Sequence, residues 1–350
     1  MNDDVRWCRE ALPGVSRTFA LGIELLAEPL RDEVGVAYLV CRVLDTVEDT
    51  TSLPAPARAG LLERAAVEIG DPARSEGCAA AIEAMFEGDA LRGRDHHLCR
   101  DARRVARALH AARPGAVACM RPTFLEMGRG MAETVRREAA GRGLQLETIT
   151  DLERYCQYVA GTVGELLTSL FAYDRPSITG PVERGLRDRA ARFGLGLQVV
   201  NIVKNVADDL GRGVAYVPRE LLAAAGTDLT TLASRPDDPR GREVVARLVE
   251  HVVPWLDAAV EYTLDIPPHE RDLRMFCGLP LAFALRTLAL AVRGEGPFSE
   301  RELKISRAEV AAIHLRLSAI VSDDRRLRES YAEERARVIR ALARAGSGRG

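Results

Sequence analysis

Apolar residues recur along this chain at intervals of three and four almost from end to end, and runs alternating apolar and polar residues between turn signals are scarce. That pattern predicts an all-α chain. Breaks are expected where helix-stopping residues cluster: Thr51 to Pro56 (TSLPAP), Arg113 to Gly115, Asp174 to Pro181, Gly211 to Pro218, Gly226 to Arg240, Pro267 to Pro268 and Gly294 to Pro297. None of these is long enough for an interdomain linker and no repeat of fixed period is visible. Residues 1–350 therefore read as one helical domain whose end, from about residue 345, frays.

Composition sharpens this picture. Hydrophobic residues make up 47% of the chain but aromatics only 5%, so Ala, Leu and Val must build the core, which suits helices. The 49 basic and 51 acidic residues leave a net charge of −2, without the basic excess that phosphate backbones select, so no nucleic-acid partner is expected. Leu281 to Val292 is the most membrane-like run, yet Arg286 interrupts it and it falls short of the roughly 20 apolar residues of a spanning helix. The start, MNDDVRWCRE, has no apolar signal core, and the seven cysteines are scattered without a CxxC spacing. A cytoplasmic protein with reduced thiols and no membrane span is the expectation, with peripheral attachment to a bilayer left open; nothing bears on its oligomeric state.

Candidate chemistry begins with acids. Val34 to Thr50 reads VGVAYLVCRVLDTVEDT, a helix whose inward stripe runs through Val34, Tyr38 and Cys41. Asp45, seven positions after Tyr38, returns to within about 20° of it and continues that stripe. Glu48 and Asp49 follow, so three carboxylates project to one side, where a divalent cation would relieve their repulsion; the plain alternative is a helix end in water. A second set lies in Phe193 to Arg212 (FGLGLQVVNIVKNVADDLGR), where Gln198, Asn201, Asn205, Asp208 or Asp209, and Arg212 form a polar line beside an apolar one of Val199, Ile202, Val206 and Leu210. Short amides and aspartates are unusual on a solvated face and suit either a metal-ended channel or a neutral seam between helices. The Gly211 to Pro218 segment reads as a flap. By contrast, His96, His97 and Cys99 lack the i, i+4 spacing of a ligand pair, so their segment, with its arginines up to Arg107, reads as a surface helix, and the Arg-rich stretch from Arg325 to Arg344 as a solvated amphipathic helix.

Two acid sets on separate helices of a bundle can face each other across its core, and the chemistry that needs this is departure of a diphosphate. Metal ions neutralise the leaving group, and aromatic faces such as Tyr38, Tyr155 and Phe276 stabilise the carbocation left behind.

With these residues in view, the chain resembles the squalene and phytoene synthase family. The resemblance rests on Ser16 to Phe19 (SRTF), Arg42 to Asp49 (RVLDTVED), Tyr155 to Leu170 (YCQYVAGTVGELLTSL), Gln198 to Asp209 with the Gly211 to Pro218 segment, and Phe276 to Pro280 (FCGLP) with Lys304 to Arg307 (KISR). The last two look more like the squalene synthase branch. The resemblance implies an all-α isoprenoid synthase fold with a central cavity, Mg²⁺, and prenyl diphosphate substrates such as farnesyl diphosphate. It implies Asp45, Asp49, Asp208, Asp209 and Asn205 as metal ligands, and Tyr155 as proton relay or cation-facing residue. Diphosphate and chain would be bound by Ser16, Arg17, Phe19, Tyr38, Arg42, Gln198, Asn201, Lys204, Arg212 and Phe276, and NADPH by Lys304 and Arg307. One departure stands out: where the family's second motif reads NIxRDxxED, this chain has NIVKNVADD, with Lys204 for Arg, Asn205 for Asp and Asp208 for Glu.

The reading that follows is a Mg²⁺-dependent prenyltransferase joining two prenyl diphosphates into a squalene-type product. The altered motif admits a relative that alkylates an aromatic or indole-like acceptor instead. A helical binding protein without catalysis is the third reading.

Overall fold

The computed structural model describes residues 2–88, 93–140, 144–211, 214–293, 298 and 303–346, and for 17, 144, 345 and 346 the backbone only. In chain order the helices are α1 (Asp3–Val15), α2 (Arg17–Ile23), α3 (Leu30–Asp49), α4 (Ala55–Glu68), α5 (Ser75–Met85), α6 (Arg94–Arg100), α7 (Ala102–Ala111), α8 (Pro114–Ala140) and α9 (Ile149–Cys156). A π-helical turn, Gln157–Gly161, leads into α10 (Thr162–Asp174), α11 (Pro181–Gly211), α12 (Arg219–Ala224), α13 (Leu229–Ser234), α14 (Pro239–Asp265), α15 (Arg271–Arg293), α16 (Arg307–Ile320) and α17 (Asp324–Gly346). The all-α expectation holds. Two two-residue strands, β1 (Leu144–Gln145) and β2 (Val214–Ala215), pair in parallel.

Helices stop where turn residues predict it. α3 and α4 flank TSLPAP, α10 and α11 flank Asp174 to Pro181, and α14 and α15 flank the Pro267–Pro268 pair. The break between α4 and α5, like those at Ser16, Glu24 to Pro29, Asp101 and Val321 to Asp323, is not among those expected, and Gly226 to Arg240, expected as an interruption, holds the short helix α13. Between α4 and α5, Asp71 accepts a hydrogen bond from the Ala73 amide at 3.0 Å, closing a local turn. Residues 294–297 and 347–350 lie outside the described residues.

The chain divides into two compact units, Met1–Ala140 with Thr162–Glu183, and Gly141–Gly161 with Arg184–Gly350. In the first, α3 is buried almost all round, as a helix carrying Val, Leu, Ala and Cys on most faces should be. α4 and α8 approach closely because Gly128 has no side chain: a Cβ there would meet the Leu62 carbonyl at 2.9 Å. Arg113 ties three elements together, donating to buried Glu33 of α3 at 2.8 and 2.6 Å and to Asp174 of α10 at 2.6 Å. Gly60, in the middle of α4, is exposed with nothing within 4 Å of an added Cβ. Gly60→Ala should therefore stabilise the protein by up to about 1 kcal/mol, seen as a higher urea midpoint.

In the second unit, α14, α16 and α17 pack on α15. Fully buried Arg274 of α15 donates to the carbonyls of Ile266 (2.7 Å), Val321 (3.0 Å) and Leu264 (3.1 Å) and to Asp324 (2.7 Å), satisfying a helix end and an interhelical turn at once. By length and composition α15 is long enough and apolar enough to cross a membrane, which corrects the expectation from Leu281 to Val292. Arg286 does not break the helix, and its guanidinium pairs with Glu309 of α16 at 2.5 Å. Of the most apolar window, 78% is buried, the mark of a core helix. α17 is the amphipathic helix expected, with Val338 and Ala341 inward and Arg328 and Arg335 paired to Glu261 and Asp257.

Candidate active site

Between Glu33 and Thr50 of the first unit, only Tyr38, Arg42, Asp45 and Asp49 escape burial. Their spacing of four, three and four puts them on one face of α3. Asp45 shares this face with Tyr38, but Val34 and Cys41 border it on the buried side, so the stripe is the open face rather than an inward one. Glu48 is also displaced from its expected place. It falls on the Cys41 edge and is 4% exposed, both carboxylate oxygens buried without a hydrogen bond, beside Arg58, whose guanidinium donates to the Glu48 carbonyl. Burial, with Asp49 and Asp45 adding to it, pushes the Glu48 carboxyl well above the usual range, so it is no partner of Asp45 and Asp49 in presenting charge.

Around this face stand several of the residues expected there. Ser16 caps α2, accepting from the Phe19 amide at 3.2 Å, and its hydroxyl also bonds the Tyr38 phenol, which burial pushes up to about 12. The Phe19 and Tyr38 rings lie 5.6 Å apart. The Arg17 side chain lies outside the described residues. Arg42 is not left waiting for phosphate: Nη1 donates to Asp45 Oδ2 at 2.5 Å, and Nε and Nη2 grip both oxygens of Asp95 at 2.9 and 2.8 Å. Asp95, on α6, sits within the stretch read as a plain surface helix, and nothing in its own spacing signals the pairing. His96 beside it approaches Thr50 Oγ1 at 3.4 Å.

The second unit carries the other acid set on α11. Val199, Ile202 and Val206 are buried as predicted, Gln198, Lys204 and Asn205 are half-buried, and Asn201 and Asp208 are exposed. Asp209 alone among these polar residues is buried, at 6% exposure. Asn205 Nδ2 donates to Asn201 Oδ1 at 3.1 Å, which spends the amide nitrogen and leaves Oδ1, the atom a cation takes, outside that bond. Burial and the nearby positive charge of Lys304 hold Lys204 below the usual lysine range against Asp208, so the two lysines converge. Arg307 is exposed and Ser306 caps α16 through a box with Glu309, so KISR is also a helix start. Arg212 lies outside the described residues.

Tyr155, at the end of α9, is buried and stacks on Tyr216, centroids 4.4 Å apart and planes 21° from parallel. Tyr216 escapes the sequence reading because it lies in the stretch taken for a flap; Val214, Ala215, Tyr216 and Val217 are instead all buried. The π-turn that follows Tyr155 is crossed by α11 at Gly194, where a Cβ would lie 2.1 Å from the Ala160 carbonyl oxygen and 3.0 Å from Gly161 Cα. Phe276 is buried in α15.

Among the described residues no group of three or more His, Cys, Asp or Glu side chains converges as a complete cation site. One or two protein carboxylates are what Mg²⁺ takes, since it completes its shell with water and phosphate oxygens. The half-buried Asp45 and Asp49 on one open face meet that requirement; on α11 the two acids part, Asp208 exposed and Asp209 buried, with half-buried Asn205 one turn before Asp209.

The sequence model of the family described as squalene/phytoene synthase matches residues 12–309. A squalene synthase of Eremothecium gossypii is 28% identical over 292 residues, 83% of this chain and 63% of that protein. Squalene synthase 1 of Arabidopsis thaliana is 28% identical over 295 residues, 83% of this chain and 66% of that protein. The chain thus spans less than two thirds of the length of these relatives. In fold, it superposes on TcSQS in complex with the ligand BPH1237 with a TM-score of 0.76 at 24% identity, covering 98% of this chain and all of that one. A match that takes in the SRTF, RVLDTVED, central, NIVKNVADD and FCGLP blocks places the chain in the squalene/phytoene synthase family.

Proposed function

We propose that the protein is a Mg²⁺-dependent prenyltransferase that ionises an allylic prenyl diphosphate and joins the carbocation to a second prenyl diphosphate. The observation that carries this reading is the Tyr38, Arg42, Asp45, Asp49 face, two carboxylates and a guanidinium opened on a helix that is otherwise buried from Glu33 onward. Membership of the squalene/phytoene synthase family and the squalene synthase relatives support it. Bound through Asp45 and Asp49, and on α11 through Asp209, Asp208 and Asn205, Mg²⁺ would supply neutralisation of the departing diphosphate.

The chain's own groups do the rest. Arg42 offers donors to phosphate oxygens, and Lys204 with Lys304 gathers positive charge next to the α11 acids, where either a diphosphate or the phosphates of NADPH would be held. The first carbon–oxygen bond breaks with its electron pair leaving on diphosphate. The alkene of the second substrate then donates its pair to the allylic carbon, and closure to a cyclopropane releases one proton. Tyr155, buried against Tyr216, is the residue to relay that proton and to face the cation with its ring.

The test is to incubate purified protein with Mg²⁺ and farnesyl diphosphate, with and without NADPH, and to follow pyrophosphate and products by mass spectrometry. A condensed C30 product with pyrophosphate is the expected result, a hydrocarbon if NADPH is used and a diphosphate ester without it. Absence of Mg²⁺-dependent pyrophosphate release with geranyl, farnesyl and geranylgeranyl diphosphates alike would overturn the reading.

A further inference from the structure

Arg42 is anchored by a residue that none of the family blocks above contains. Asp95 projects from the first turn of α6, a helix fixed to the first unit by buried Leu98 and Cys99, the latter's thiol directed at the Val43 carbonyl of α3 at 3.9 Å. Its two oxygens take Nε and Nη2 of Arg42 at 2.9 and 2.8 Å, the parallel fork that fixes a guanidinium in plane and direction. The third nitrogen, Nη1, is thereby aimed along the open face of α3, where it meets Asp45 Oδ2 at 2.5 Å. Arg42 and Asp45 are 31% and 28% exposed, so the guanidinium and the carboxylate it meets both remain partly open to solvent.

We propose that Asp95 is a positioning residue for diphosphate binding: it holds Arg42 by one edge so that Nη1 passes from Asp45 to a phosphate oxygen when a cation takes up Asp45. This rests on the prenyltransferase reading. An arginine without such an anchor would lose side-chain freedom on gripping phosphate, and its charge beside Asp45 would compete with the cation for that carboxylate. Asp95 offsets both: the rotamer is already fixed, and the positive charge is shared with a second carboxylate.

The experiment compares wild type, Asp95→Asn, Asp95→Glu and Arg42→Lys, alone and combined, reading kcat and KM for farnesyl diphosphate with Mg²⁺, inhibition by inorganic pyrophosphate, and thermal unfolding. Asp95→Asn keeps the shape but loses the charge and one of the two acceptors. We expect kcat/KM to fall about ten- to hundredfold and pyrophosphate inhibition to weaken in parallel, with the unfolding midpoint little changed. Asp95→Glu should recover part of both, and Asp95→Asn should add less than about twofold to Arg42→Lys, because the residue to be positioned is then gone. A merely structural role would move the midpoint and leave pyrophosphate affinity alone. The proposal is overturned if Asp95→Asn keeps pyrophosphate inhibition within twofold of wild type, or if its effect is undiminished in the Arg42→Lys background. If wild type itself neither turns over nor is inhibited, the prenyltransferase reading falls and the role of Asp95 with it, an outcome distinct from the other two.

Discussion

Asp45→Ala should lower Mg²⁺-dependent pyrophosphate release by about a thousandfold while leaving the protein folded. Asp45 sits at the centre of the open face of α3, one turn from Asp49 and hydrogen-bonded to Arg42. Stabilisation of charge by a bound cation is worth several kcal/mol at the bond-breaking step, and about 4 kcal/mol corresponds to about three orders of magnitude in rate. Removing one of two carboxylates from that face takes away most of this, because alanine offers no oxygen and water alone does not hold the ion in place. Asp49→Ala should behave similarly. Stability should change little: Asp45 is part-exposed, and Arg42 retains both bonds to Asp95. Raising Mg²⁺ to tens of millimolar should restore part of the rate in either variant. Release that stays within tenfold of wild type at low Mg²⁺ would mean that the cation is held elsewhere.

How this face could be read from sequence, and where reading stops, follows from the range of the interactions involved. The position of Asp45 relative to Tyr38 is a property of the helix itself, fixed by 3.6 residues per turn, and it survives in the structure. Which side of the helix is open depends on neighbours: Val34, Cys41 and Glu48 lie at the edge of the same arc, and it is the packing on α3 of other helices of the first unit, α1, α4, α6, α7 and α8 among them, that decides that they are buried. Asp95 is 53 residues from Arg42, and its own segment looks like any charged helix, so no local pattern could reveal the fork. Tyr216 was hidden by its company, since Gly211, Gly213 and Pro218 suggest a loose loop, whereas pairing of β2 with β1 draws Val214 to Val217 into the interior. The close approach of Gly194 to Ala160 and Gly161, where α11 crosses the π-turn, lies between segments more than thirty residues apart, so it too has no local signature.

That crossing sets the second large effect. Gly194→Ala should destabilise the protein by about 3 kcal/mol and depress activity beyond what the loss of folded protein explains. An added Cβ would lie 2.1 Å from the Ala160 carbonyl oxygen and 2.6 Å from its carbon. Both are backbone atoms of the π-turn, so no rotamer change can make room, and either α11 moves off or the turn rewinds. The gain of about 1 kcal/mol in helix propensity from Gly to Ala is outweighed. Movement of α11 carries Gln198, Asn201 and Asn205 with it, and rewinding of Gln157–Gly161 turns Tyr155 relative to Tyr216. Activity per folded molecule should therefore fall even where the variant is soluble and helical by circular dichroism. Gly196→Ala, two residues along the same helix, separates backbone contact from general intolerance. Its Cβ would meet first the Leu256 Cδ2 methyl at 3.0 Å, the end of a side chain that can shift, so the cost there should stay below about 1 kcal/mol. Equal losses at both positions would show that the close approach of Gly194 to Ala160 has no special part in holding the Tyr155 segment, and a wild-type urea midpoint for Gly194→Ala would show that the two backbones have room to part.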